Sequence, residues 1–332
     1  MSALKYAVDL VKSLPGSLAR DVTWKIADRF DRGRPEGAPY AVTEPQKEHW
    51  REHGWVTLER AVEPETIDRF RAEVERFRAS GRGGRDEIGH GIRIGLLHSE
   101  NRQALKLALN DRIRTFLQWA LEGEPVLFGS LTFDIGSEQE PHIDAAFFYT
   151  QPESAMAAAW IALEDIHPDS GPLFFVDGSH RFARLYASEA LERSPELARR
   201  VAEHRMQRKR PDYALSEEVY QAYSQRLSAK LEEMGAQRTP ALLKKGDVFV
   251  WSGWLVHGGL PRVNRELTRR SMVVHYIRRD ARFWDQHAFF LRGDVLESTP
   301  PIRFHFRNSR RGRYIKHHHA VTFEGSDGHF KA

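Results

Sequence analysis

The chain has 332 residues, 41% of them hydrophobic, and 50 Lys and Arg against 46 Asp and Glu give it a formal net charge of +4. That length can bury a sizeable core, and the charge is too modest to define a partner by itself. There is no cysteine, which excludes disulfides and thiolate metal sites and leaves His, Asp and Glu as the only metal ligands.

Residues 1–44 read as an appended arm ending in the turn-rich "DRGRPEGAPY". Its apolar opening is interrupted by Asp9 and Lys12. No later stretch approaches the roughly 18–20 apolar residues of a membrane span, so the expectation is a soluble, cytoplasmic protein without membrane partners. "HGWVTLERAV" alternates as a short strand. "EPETIDRFRAEVERFRA" predicts a helix, with Pro64 near its start and Ile67, Phe70, Val74 and Phe77 along one stripe. A further helix is predicted within "RQALKLALNDRIRTFLQWAL".

From residue 126 strand patterns dominate: "VLFGSLTFDI", "AAWIALEDI", "PLFFVDG", "GDVFVWSG" and "RRSMVVHYIRR". They are short, rich in aromatic and β-branched residues, and bounded by Gly, Pro and Asp. That pattern predicts an antiparallel barrel or jelly roll over residues 45–280, with helices at its flanks. Residues 183–238 break into it with helix-favouring sequence, either a cap over the barrel mouth or a surface decoration, and their charge argues against a second core. A basic extension, residues 281–332, completes what reads as a single domain over 1–332. Its run "RFHFRNSRRGRYIKHHH" suits an acidic partner or a solvated surface, and no nucleic-acid module accompanies it.

Within the strand-rich region "EPHIDAAFF" places His142 and Asp144 two apart. In an extended strand such residues share a face, so an imidazole and a carboxylate point into one space. A third ligand is His257, which closes the apolar run of "GDVFVWSGWLVHGG". Gly258 and Gly259 after it leave space beside a metal and let the backbone turn. Two imidazoles and one carboxylate on one side of a metal form the facial triad of mononuclear non-haem Fe(II) oxygenases.

Together with "EHGWVTLERAVEPETIDRFRAEVERF", "AAWIALEDIHPDSGPLFFVDGSHR" and "NRELTRRSMVVHY", these motifs resemble the phytanoyl-CoA dioxygenase-like family of Fe(II)/2-oxoglutarate oxygenases, over roughly residues 45 to 280. The resemblance implies a double-stranded β-helix, a form of jelly roll, holding iron through His142, Asp144 and His257, with 2-oxoglutarate and dioxygen as cosubstrates. It also implies an arginine for the distal carboxylate of 2-oxoglutarate, because a planar guanidinium grips a carboxylate through two parallel hydrogen bonds. That position falls on Arg269, with Arg270 as the alternative of opposite strand parity. Trp160 matches a tryptophan near the cosubstrate or is an ordinary core aromatic, and Thr132 can offer a hydroxyl. Ser179 and His180, after Asp177, suit a turn. Ile143 stands where many members carry Gln, and Gly259 where some carry Ser.

The reaction so implied is hydroxylation of an unactivated C–H bond of a small molecule, releasing succinate and carbon dioxide. Desaturation, ring closure and epimerisation are alternatives on the same centre, and a metal-bearing barrel that only binds is the alternative of another class. Arg93 and the basic extension can contact an anionic group on the substrate, although for any one of them surface charge or an internal ion pair with the many Asp and Glu is the stronger reading. The insert, together with the basic tail, is expected to form a lid over the barrel mouth and to set substrate choice.

Overall fold

The structure, a computed structural model, describes residues 40–79, 93–206, 212–292, 301–304 and 306–315; most of the expected arm and the "KHHH" run at 316–319 lie outside them. In chain order the strands are β1 (Trp55–Leu58), β2 (Arg93–Gly95), β3 (Pro125–Phe133), β4 (Phe148–Gln151), β5 (Met156–Ala162), β6 (Leu173–Phe175), β7 (Thr239–Pro240), β8 (Val248–Ser252), β9 (His257–Gly259), β10 (Ser271–Arg278), β11 (Arg282–Asp285), β12 (Phe306–Ser309) and β13 (Gly312–Ile315). The helices are α1 (Glu44–His53), α2 (Pro64–Ala79), α3 (Arg102–Ala108), α4 (Asp111–Ala120), α5 (Ser179–Phe182), α6 (Ala187–Leu191), α7 (Pro195–Met206), α8 (Tyr213–Glu233) and α9 (Gln286–Arg292).

The large sheet runs β1-β8-β5-β10-β3-β13-β12, with β2 also paired to β3. Its central strand β5 is buried along its whole length because both faces are covered. Register sorts the faces: Val248, Ile161 and Met272 lie opposite one another, as do Val250, Ala159 and Val274. These residues pack on α2, α3 and α4 through Ile67, Phe70, Leu105, Ile113 and Phe116. On the other face Trp160, Phe249 and Trp251 meet Leu173 and Phe175 of a small sheet ordered β7-β6-β9. Large sheet against small sheet is the expected jelly roll, with helices on its outer face.

The stripe of α2 buries as its spacing predicts. The helix expected over residues 102–121 is two helices. The Asn110 side chain accepts from the backbone N–H groups of Arg112 and Ile113, which caps α4 and breaks the run. The insert departs further from expectation, because it buries an apolar core shared with neighbouring elements. On α8, Leu215, Val219, Tyr223, Leu227 and Leu231 are buried at four-residue intervals and pack with Trp254, Phe289 and Phe290. The basic extension divides: its α9 packs Phe289 and Phe290 against the insert, whereas its hairpin β12–β13 continues the large sheet, with β13 parallel to β3. No helix among the described residues is long and apolar enough to cross a membrane.

Candidate metal centre

The backbone brings the two histidines together before their side chains do. His142 and His257 form an isolated antiparallel bridge in which each N–H donates to the other's carbonyl, at 2.9 and 3.0 Å. "EPHIDAAFF" is not a full strand. Ile143 is extended, but Asp144 opens a short 3-10 turn, Asp144–Ala146, which swings its carboxylate back toward the histidines. Ile143 itself faces the insert and packs in its core. His257 opens β9 instead of ending an apolar strand, since the run folds back between β8 and β9. The glycines after it serve close packing. A Cβ on Gly258 would lie 2.6 Å from the carbonyl oxygen of Gln139, and one on Gly259 would lie 2.8 Å from the nitrogen of Glu138.

His142 Nδ1 lies 2.8 Å from the carbonyl oxygen of Glu140, and His257 Nδ1 lies 3.0 Å from that of Leu255. A carbonyl only accepts, so each Nδ1 carries the proton and each Nε2 keeps its lone pair. Those Nε2 atoms stand 4.0 and 3.7 Å from Oδ1 of Asp144. Oδ2 accepts the indole N–H of Trp251 at 2.9 Å, which leaves Oδ1 as the oxygen facing the histidines. Three buried ligand atoms within 4.8 Å of one another, two with fixed tautomers and one with a fixed carboxylate, fit a divalent cation.

Electrostatics agree with that fit. Burial and the neighbouring His257 hold His142 down to about 4, against the pull of Asp144, so it is a neutral ligand at neutral pH. Burial pushes the Asp144 carboxyl up, but the imidazoles of His257, His275 and His142 and the Trp251 indole together hold it below the usual carboxylate range.

Arg269 and Arg270 separate cleanly. Arg270 turns outward and pairs with Glu164, through its backbone N–H at 2.7 Å and its guanidinium at 3.2 Å. Arg269 is 4% exposed and lies over the rings of Phe133 and Trp160, at 5.2 and 5.4 Å. Its guanidinium donates to the Ile135 carbonyl at 3.3 Å, Nε has no partner, and among the described residues no carboxylate pairs with it. Burial pushes it down to about 10, which still leaves it charged at neutral pH. The buried indole N–H of Trp160 also lacks a partner.

Thr132 does not join this group. It lies opposite Met272 and Ile94, both in the helix-packed core, so its hydroxyl faces away from Arg269 and Trp160. Arg93 lies opposite Phe133 at the Arg269 end of the sheet. Ser179 has the expected turn role, its hydroxyl accepting from the Val256 N–H at 2.8 Å. Asp177 accepts from the Trp55 indole at 2.7 Å and lies 2.8 Å from His53 Nδ1, tying this turn to α1 and β1.

One residue at the centre was not singled out from sequence. His275, 6% exposed, has its Nε2 4.0 Å from Oδ1 of Asp144. The signal was inward parity with Val273 and Ser271 along β10, within the "VVHY" of the strand pattern.

A model of the phytanoyl-CoA dioxygenase (PhyH) family matches residues 50–271. The chain belongs to this family. Phytanoyl-CoA dioxygenase domain-containing protein 1 of Danio rerio is 50% identical over 46 residues, 14% of this chain and 16% of that protein. The chain spans less than half the length of the curated relatives it matches. Among solved structures, the non-haem alpha-ketoglutarate-dependent carbocyclase SnoK from nogalamycin biosynthesis is 17% identical with a TM-score of 0.58, covering 81% of this chain and 98% of its own. The epimerase SnoN in complex with Fe3+, alpha ketoglutarate and nogalamycin RO is 18% identical with a TM-score of 0.55, covering 82% and 98%. At these identities the likeness shows a shared fold.

Proposed function

We propose that this PhyH-family chain is an Fe(II)- and 2-oxoglutarate-dependent oxygenase that hydroxylates an unactivated C–H bond of a small molecule. The observation that carries the reading is the joint preparation of two ends of one site. At one end the His142 and His257 Nε2 lone pairs and Asp144 Oδ1 converge; at the other, among the described residues, no carboxylate forms an ion pair with the buried Arg269 guanidinium. A molecule with a metal-chelating end and a distal carboxylate satisfies both.

In this reading His142, Asp144 and His257 would hold the metal, and its remaining positions would be left to ligands from solution. Arg269 grips the distal carboxylate of 2-oxoglutarate, and the unpartnered Trp160 N–H lies beside it for a further hydrogen bond. The aromatic packing of Trp160, Phe133 and Trp251 keeps water out, which strengthens each of these contacts. Bound iron would supply activation of dioxygen coupled to decarboxylation of 2-oxoglutarate, one oxygen atom going to succinate and the other to the substrate, with carbon dioxide released. Asp144 as third ligand favours hydroxylation over halogenation. The relatives of similar fold include an epimerase and a carbocyclase, and these outcomes on the same centre differ in the fate of the substrate radical.

The deciding experiment is anaerobic loading with Fe(II) and 2-oxoglutarate followed by exposure to air. Slow, substrate-independent succinate formation, abolished in His142→Ala and Asp144→Ala variants that remain folded, is the expected result. Tight metal binding without any succinate would favour the binding-module alternative.

A further inference from the structure

His275 differs from the two histidine ligands in a way that calls for an explanation. His142 and His257 each engage Nδ1 with a backbone carbonyl. His275 is more than nine-tenths buried, and its Nε2 faces Asp144 without reaching hydrogen-bond distance. Oδ1 of Asp144 lies 4.0 Å from its Nε2, the same separation that His142 shows. Its nitrogens are not among the sealed, unpaired polar atoms of the core, unlike Trp160 Nε1 and Arg269 Nε, so the ring borders space that a small polar group can enter.

The fold seats this ring on purpose. Across β10 its partners are Gly129 on β3 and Ala158 on β5, two of the smallest residues available at inward positions. A Cβ on Gly129 would come within 3.3 Å of His275 Nδ1, so the ring lies directly against that glycine. Phe128 and Phe148 flank it, with centroids 5.8 and 5.2 Å away, and fix its plane. The strand shifts register directly after it, between His275 and Tyr276.

His275 is not a fourth ligand. The group whose atoms close within 4.8 Å of one another is His142, Asp144 and His257 and leaves it out. It stands to the Asp144 side of that group, midway along β10, whereas Arg269 precedes the strand. The cosubstrate, reaching from the triad toward Arg269, leaves that side free.

We infer that His275 donates a hydrogen bond to the small exogenous ligand that occupies the metal's open position beside Asp144. The inference rests on the oxygenase reading of the preceding section. The position is the one left to water at rest and to a diatomic gas once 2-oxoglutarate is in place, and the ring offers it a single N–H in an otherwise apolar wall. No bond is made or broken by His275 in this role.

Nitric oxide, bound anaerobically to the protein loaded with Fe(II) and 2-oxoglutarate, is the probe. His275→Phe preserves ring volume among aromatic neighbours and removes both nitrogens. It should hold Fe(II) and 2-oxoglutarate within about threefold of the unaltered protein. Its Kd for nitric oxide should rise about tenfold or more, with a shifted electron paramagnetic resonance signal of the nitrosyl complex. His275→Gln, which restores an N–H at similar reach, should recover part of that affinity. Equal nitric oxide affinity in the His275→Phe and unaltered proteins would overturn the inference. So would a tenfold loss of Fe(II) affinity in His275→Phe, which would make His275 a support for Asp144 instead. If the unaltered protein itself fails to bind Fe(II) and 2-oxoglutarate, the oxygenase reading falls and this inference falls with it.

Discussion

Trp251 on β8 holds Oδ2 of Asp144 by an indole hydrogen bond of 2.9 Å, and both residues are buried. The bond leaves the carboxylate one free oxygen, aimed at two imidazole lone pairs. Trp251→Phe keeps an aromatic ring against His257 and Phe249 while removing the N–H. Outer-shell partners of this kind are worth about 10–100-fold in metal affinity. A drop of that size in Fe(II) or Co(II) affinity is expected by titration, with the fold retained. Unaltered affinity would mean that the indole only packs.

Acid should weaken the metal-free protein in a defined window. His142 is held in its neutral form, down at about 4, whereas an unfolded histidine titrates near its ordinary 6.5. The unfolded chain therefore binds the extra proton first. Stability is fully present above about 6.5 and is lost as pH falls toward 4, by about 3 kcal/mol if this group acted alone. Denaturant midpoints measured from pH 7.5 to 4.5 should fall across that window, and the fall should be shallower in a folded His142→Asn variant. An equal slope in both would assign the acid sensitivity elsewhere.

The ligands were legible in sequence because their identity and order carry the information: His, one residue, Asp, and a distant His beside glycines. What could not be read is what depends on register. Arg269 and Arg270 lead into a strand whose two faces are both mixed, and only the pairing of Arg270 with Glu164 shows which one points inward. Thr132 has the right chemistry on the wrong face, a fact fixed by its neighbour Met272 on another strand. His275 was hidden for the same reason, since the Gly129 and Ala158 that seat it are distant in sequence. The core of the insert was in view as a four-residue period on α8, masked by the charged residues between its members.

The two arginines should part company in cosubstrate binding. Arg269→Ala is expected to weaken 2-oxoglutarate binding by about 2–5 kcal/mol, because a charge-assisted pair is lost and the distal carboxylate is stranded. Metal affinity should change little. Arg270→Ala breaks an exchange with Glu164 at the sheet's other face and should leave 2-oxoglutarate binding near its original value. Titration of the metal-loaded variants decides the matter, and a defect confined to Arg270→Ala would reverse the assignment.

The insert is wired to the metal centre by a short run of rings. Tyr220 on α8 stands 5.4 Å from Phe147, and Phe147 stands 5.9 Å from His142. Tyr220 also meets Phe290 at 5.6 Å, so the same side chain belongs to the insert's core. A segment whose core takes in Ile143, Ala145 and Ala146 around Asp144, with an aromatic link to His142, can respond to what the ligands hold, which is how active-site lids commonly behave. Limited proteolysis should cut first within residues 183–238, and Fe(II) with 2-oxoglutarate should slow that cleavage. Tyr220→Ala removes two aromatic contacts, a loss of about 1–3 kcal/mol, and should abolish the protection while leaving Fe(II) and 2-oxoglutarate affinities within about threefold. Protection that survives in Tyr220→Ala, or cleavage that starts outside the insert, would separate the insert from the site and leave it a surface decoration.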